Sequence, residues 1–217
     1  MLADLRHTMP HVFDQGRRPT CLVAAVSDAN QCNRGDPKKF SVEYLFYKCS
    51  EQDASVVTGG VSVSTIYDCL MMNGQPLDSH WPYITQQPPV STWVEPSNSP
   101  GTVYGAHLKF GIFKFDAICD LVKRGIPVVL LLSVDNSLYR VDNNGLLSGE
   151  VFGPFRGCHA MLCVGVGRTD RNWLCVRNSW GACWADAGYA WMDEGYLESC
   201  MLSAAYLPQE RKTEWHI

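Results

Sequence analysis

The chain has 217 residues, 18 basic and 22 acidic side chains, a net charge of −4 at neutral pH, and 46% apolar against 18% charged residues. This is the composition of a globular protein long enough to bury a sizeable core, far from the polar, charge-rich mix of disordered chains. Charges are spread along the sequence and no apolar run is long enough to span a bilayer, so nucleic acid and membrane are not expected partners.

The N-terminal stretch "MLADLRHTMPHVFD" carries acids, histidines and a proline where a signal peptide would be apolar, which predicts a soluble chain without a secretion signal. Arg17-Arg18, beside Cys21, is the local basic cluster that draws notice, and its plainest reading is a solvated loop. Thr20 is placed to cap a helix that opens at Cys21 and runs through "CLVAAVSDANQ". Ser41 is the expected cap of a helix through Tyr44, Leu45, Phe46 and Tyr47. Ser62 or Ser64 would cap a third through "TIYDCLMMNG", which Gly74 ends.

From Gln75 to Tyr104 six of the twelve prolines interrupt regular structure, so a long connection is expected. After it, Phe115 to Lys123 reads as one more helix. Strand signals then dominate: "PVVLLLSV", "HAMLCVGVGR", "NWLCVRNSW" and "GYAWM" are short, β-branched or aromatic, and bounded by turn residues. Helices first and strands later predict an α+β protein of two lobes with a ligand crevice between them.

Ten cysteines are scattered through the chain, mostly inside apolar runs, and read as small buried hydrophobes of a reduced protein. No zinc-spaced pair is present, so no metal and no cofactor is expected.

A catalytic thiol needs help to ionise, and Cys21 has the unpaired N–H groups of a helix N-terminus. Of the six histidines, His159 in "GCHAMLCVGVG" opens a buried strand after small residues that leave room for a ligand; a ring merely satisfied by hydrogen bonds is the plainer alternative. Asn178, in "CVRNSWG", ends the following strand, where an antiparallel pair would bring it to His159. It is available to fix the second ring nitrogen, or else is a simple strand-ending turn residue.

Together these pieces resemble the papain-like cysteine peptidases, of the bacterial kind. The resemblance rests on "DQGRRPTC", "GGVSVSTIYDCLMMNG" followed by "WPY", "GCHAMLCVGVG" and "VRNSWGACWADAGYAWM", in the family's order, from about Asp14 to Met192. The Cys21-to-His159 interval falls within the roughly 130–150 residues typical of that family. It implies a single catalytic domain over 1–217, with a helical lobe near 14–108, an antiparallel β-sheet or barrel lobe near 109–207, and the active site in the cleft. Cys21 would be the nucleophile, His159 its imidazolium partner and then the acid, Asn178 the orienting residue, and Gln15 an oxyanion donor. Trp180 would shield the histidine–asparagine bond, and Gly59 and Gly60 would let substrate backbone approach; an ordinary turn before a helix is the other reading of the two glycines. Tyr67, Leu108, Leu132, Ser133 and Trp184 are the candidates for lining the cleft.

The sequence departs from the family pattern at Leu22 (usually tryptophan), Arg18 (usually a disulfide cysteine), Cys158 (usually glycine) and Asp186 in "WADAGY". The lost disulfide agrees with a reducing cytosol, and Cys158 is a candidate oxidation liability. The expected activity is hydrolysis of peptide bonds in protein or peptide substrates. Glutamine deamidation or acyl transfer is the alternative, and a non-catalytic binding module a third. With few residues ahead of Gln15, no inhibitory propeptide is expected. That suggests a toxin or effector delivered into another cell by a secretion system and restrained at home by a cognate inhibitor or immunity protein; a fragment of a longer chain explains it equally well.

Overall fold

A computed structural model describes residues 1–35, 38–141, 144–151, 153–210 and 212–216. Helix α1 (Cys21–Arg34) is buried over eleven of its fourteen residues and stops at Gly35, whose φ of +64° suits a residue without a Cβ. Helix α2 (Val42–Gln52) is capped as expected, with the N–H of Tyr44 donating to Ser41 Oγ at 3.0 Å. After a single turn, α3 (Val56–Gly59), helix α4 (Val63–Met72) begins where the N–H of Thr65 donates to Ser62 Oγ at 3.1 Å, so Ser62 rather than Ser64 is the cap.

Strand β1 (Ala3–Asp4) is followed, beyond the helices, by β2 (Thr102–Ala106), β3 (Lys109–Gly111), α5 (Phe115–Lys123), β4 (Val128–Val134) and the short α6 (Asn136–Tyr139). Then come β5 (Leu146–Leu147), β6 (Gly157–Arg168), β7 (Asn172–Arg177), β8 (Tyr189–Asp193), α7 (Glu194–Cys200), β9 (Met201–Tyr206) and β10 (Lys212–His216). Eight strands form one sheet in the order β3-β9-β4-β6-β7-β8-β5, with β1 added to β6. All of its pairings are antiparallel except β5 on β8.

The long strand β6 is the wall between two cores. Ala160, Leu162 and Val164 pack with Val23, Val26, Leu45, Phe46, Ile66 and Leu70 of the helices, whereas Met161 and Cys163 pack with Leu130, Leu174, Val176 and Leu197. The period-2 alternation of a strand produces this division. It is why "HAMLCVGVG" reads as an unbroken apolar run: both faces are covered. A bulge between Cys163 and Gly165 then turns Val166 into the second core.

Both ends of the described chain cross to the opposite half. β1 pairs with β6 at Val166 and Gly165, and β10 pairs with β2 to make a separate two-stranded sheet. There Trp215 lies so close to Gly105 and Gly74 that a Cβ on either glycine would meet its ring, at 2.8 and 3.1 Å. Seven cysteines are buried, Cys21 is half-buried, and Cys158 and Cys183 are exposed; none is in a disulfide. Among the described residues no helix is long and apolar enough to cross a membrane.

Ala185 and Ala187, in "WADAGY", hold φ of 46° and 51° in the left-handed region. A Cβ there is strained by about 1 kcal/mol, so Ala187→Gly is expected to raise stability by about 0.5–1 kcal/mol in urea denaturation. A loss of stability would show that the turn tolerates its alanine without cost.

Candidate active site

Cys21 is the first residue of α1, and Thr20 stands at the N-cap position without capping it, since its hydroxyl bonds Tyr83 at 2.9 Å instead. The first-turn N–H groups are therefore left free of a side-chain cap. Those of Cys21 and Leu22, with the N–H of Ala160 on β6, favour an anionic sulfur. Burial works the other way and is the larger effect, pushing the Cys21 thiol above its ordinary value.

His159 enters from the start of β6, only 6% exposed, and its Nε2 is 2.7 Å from Asn178 Oδ1. That Asn178 atom also accepts the N–H of Ser179 at 2.8 Å, which identifies it as the oxygen. An acceptor-only partner requires the proton on Nε2, so Nδ1 is left free to take one. Burial lowers the His159 pKa to about 4, against the weaker support of Asn178. Desolvation thus opposes each charge taken singly, thiolate or imidazolium, and only their formation as a pair offsets it. The expected standing imidazolium–thiolate pair is not favoured by burial alone.

Because the unfolded chain holds its histidine proton up to about pH 6.5 while the folded site sheds it to about pH 4, stability is fully present above pH 6.5 and is lost as pH falls through that window. The loss attributable to His159 is about 3 kcal/mol. Urea midpoints at pH 7 and pH 4.5 should converge in His159→Gln relative to wild type; an equal pH slope in both would refute it.

Gln15 is held on both ends of its amide. Its Nε2 donates to Arg18 O at 2.9 Å and its Oε1 accepts from Ser179 Oγ at 2.6 Å. The second Nε2 hydrogen is free, and Gln15 lines the same cavity as Cys21. Arg18, expected in a solvated loop, is instead 2% exposed. Its guanidinium grips Glu43 bidentately at 2.5 and 3.0 Å, donates to Ile84 O and Gln87, and lies near the rings of Phe46, Tyr83 and Trp93. At the position where the resembled pattern has a disulfide cysteine and this chain has Arg18, a buried ion pair ties the segment before Cys21 to α2. Arg177, next to Asn178, makes a second such tie to α1 through Asp28 at 2.6 Å.

Gln15, Cys21, His159, Gly59, Gly60 and Trp180 all face one cavity of about 370 Å³; Asn178 stands behind His159. Gly60 has φ of +86°, and a Cβ at Gly59 would meet no protein atom within 4 Å, so bare backbone borders open space there. The Trp180 ring centroid lies 4.6 Å from that of His159, with the planes tilted by 35°. None of Tyr67, Leu108, Leu132, Ser133 and Trp184 lines this cavity. Val61, Leu131, Tyr139, Ala160 and the exposed Cys158 do.

A sequence profile described as "Papain family cysteine protease" matches residues 5–208. The chain belongs to the papain family of cysteine proteases. Among curated relatives of this papain-family chain, digestive cysteine proteinase 3 of Homarus americanus is 23% identical over 90% of the chain and 65% of its own length. Vignain of Vigna mungo is 25% identical over 82% of the chain and 49% of its own length. The chain thus spans about two thirds or less of the length of these relatives.

Solved structures agree on an α+β, papain-like fold. Xylellain, a cysteine protease from Xylella fastidiosa, aligns with a TM-score of 0.72 over 94% of this chain and 84% of its own, at 22% identity. The bromelain protease from Ananas comosus in complex with the E64 inhibitor aligns at 0.67 over 94% and 96%, at 16% identity.

Proposed function

We propose that this papain-family chain is a cysteine endopeptidase that cleaves protein or peptide substrates through an acyl-enzyme, in a cleft between a helical lobe (about 14–108) and a β lobe (about 109–207). The observation that carries this reading is the His159–Asn178 bond of 2.7 Å, which leaves Nδ1 as a base beside a cavity shared with a helix-N-terminal thiol. The Cys21 proton passes to His159 Nδ1 as the sulfur attacks the carbonyl carbon, so both charges arise together where neither is stable alone. The free Nε2 hydrogen of Gln15 and the N–H of Cys21 take up the developing oxyanion. The imidazolium protonates the departing amine, and His159 then activates the water that hydrolyses the thioester.

The test is brief exposure to an epoxide-type cysteine protease inhibitor, read by intact mass. One adduct on Cys21 that vanishes in Cys21→Ser supports the reading; labelling spread over Cys158 and Cys183 with Cys21 spared would overturn it. Gln15→Ala is expected to lower kcat about 10²–10³-fold with KM nearly unchanged. A rise in KM alone would move Gln15 from the oxyanion to substrate binding.

The same thioester supports glutamine deamidation or acyl transfer, and ammonia release without chain cleavage is the assay outcome that would favour them. The half-buried Cys21 borders an open cavity. Restraint would then come from an added segment of a longer chain or from a separate inhibitor protein, the latter being the arrangement expected of a delivered effector or toxin. Co-purification with a neighbouring gene product that suppresses epoxide labelling would support it.

A further inference from the structure

We infer that Tyr139 sets specificity on the leaving-group side of the cleft, selecting a large apolar or aromatic side chain at the first residue after the cut bond. The inference rests on the proposed peptidase reading. His159 is the group that must protonate the departing amine, so the departing half of the substrate lies on the His159 side of Cys21 and the retained half on the side of Gly59 and Gly60. On the His159 side the cavity wall is aromatic: Tyr139 stacks on Trp180 with centroids 5.0 Å apart and planes at 12°, and Trp180 in turn lies 4.6 Å from the His159 ring.

Tyr139 is 57% exposed although its ring packs on Trp180, so part of it is available for contact. Its helix is held firmly for so short an element. The Asp135 carboxylate accepts the N–H and hydroxyl of Ser137, and Ser137 Oγ bonds Tyr196 at 2.8 Å. The indole N–H of Trp184 donates to Leu138 O at 3.1 Å, and Leu138 is 1% exposed. A pre-positioned, half-exposed ring loses little freedom when a substrate side chain covers it, which is the condition under which an aromatic contact adds selectivity.

The experiment is digestion of a proteome-derived peptide library by wild type, Tyr139→Ala and Tyr139→Phe, with mass-spectrometric reading of the residues on both sides of each cut. Wild type is expected to enrich Phe, Tyr, Leu and Met after the cut by about fivefold to tenfold, the effect of one well-packed aromatic contact. Tyr139→Ala should flatten that enrichment while the pattern before the cut keeps its shape, and Tyr139→Phe should retain it. An unchanged pattern after the cut in Tyr139→Ala, or a wild-type pattern without apolar enrichment there, overturns the inference with the peptidase reading intact. Absence of cleavage together with absence of epoxide labelling at Cys21 overturns both.

Discussion

Replacing His159 by alanine is expected, on the proposed mechanism, to lower kcat/KM for peptide cleavage by about 10⁴-fold or more, because the thiol would lose its base and the departing amine its acid. Cys21→Ala should be at least as severe. The double variant should be no worse than either single one, since residues that act as a unit are not additive in their removal. Melting temperatures should stay within a few degrees for Cys21→Ala. His159→Ala is less innocent, as it removes the partner of a buried Asn178 oxygen that then keeps only the Ser179 N–H. Retained turnover in either single variant would remove the Cys21–His159 pair from the mechanism.

Arg18→Met is expected to be the most destabilising single change outside the apolar core. Glu43 is fully buried, and its carboxylate accepts from both Arg18 nitrogens, from Trp93 Nε1 at 2.7 Å and from Ile84 N at 3.3 Å. Taking away the guanidinium strands a charge in a low-dielectric site, at a cost of about 3–5 kcal/mol. Arg18→Met with Glu43→Leu should recover much of that loss, because no lone charge remains, though Trp93 Nε1 and Ile84 N lose their acceptor. Urea denaturation checks both variants. A loss under about 1 kcal/mol in the single variant would mean that Glu43 takes up a proton or water in place of its partner. Since Arg18 O also holds the Gln15 amide, the single variant should slow turnover in the fraction that still folds.

The elements legible in the sequence were those with local signals. Ser41 and Ser62 cap where a hydroxyl precedes an apolar helix by the right offset, and Phe115–Lys123 forms the helix its periodicity predicts. The candidate site was legible as far as Cys21, His159 and Asn178 could be placed at a helix start and on an antiparallel strand pair, which the structure brings together. Strands β2, β9 and β10 escaped because their hydrogen-bond partners lie far along the chain and their own residues carry weak patterns, whereas helix α7 escaped although Asp193 caps it locally through the N–H of Tyr196. The burial of Arg18 escaped for the reason that hid the strands: a guanidinium in an apolar setting is explained only by Glu43, 25 residues on, in α2. Tyr139 is invisible from sequence as a wall of the cleft, since its neighbour in space is Trp180.

The pairing of β10 with β2 bears on how the protein comes off the ribosome. The edge of β2 finds its partner strand, Arg34 the carbonyl of Thr213, and Lys212 the carbonyl of Asn33, only once residues 212–216 have been synthesised. Helices α1, α2 and α4 are complete far earlier, yet α1 must also wait for the β6 residues Ala160, Leu162 and Val164 that cover it. Contacts of such long sequence separation make folding slow and late. Nascent chains should therefore remain sensitive to protease until residues 212–216 have been made, and the cavity that joins Cys21 to His159 and Ala160 cannot close before β6 has emerged.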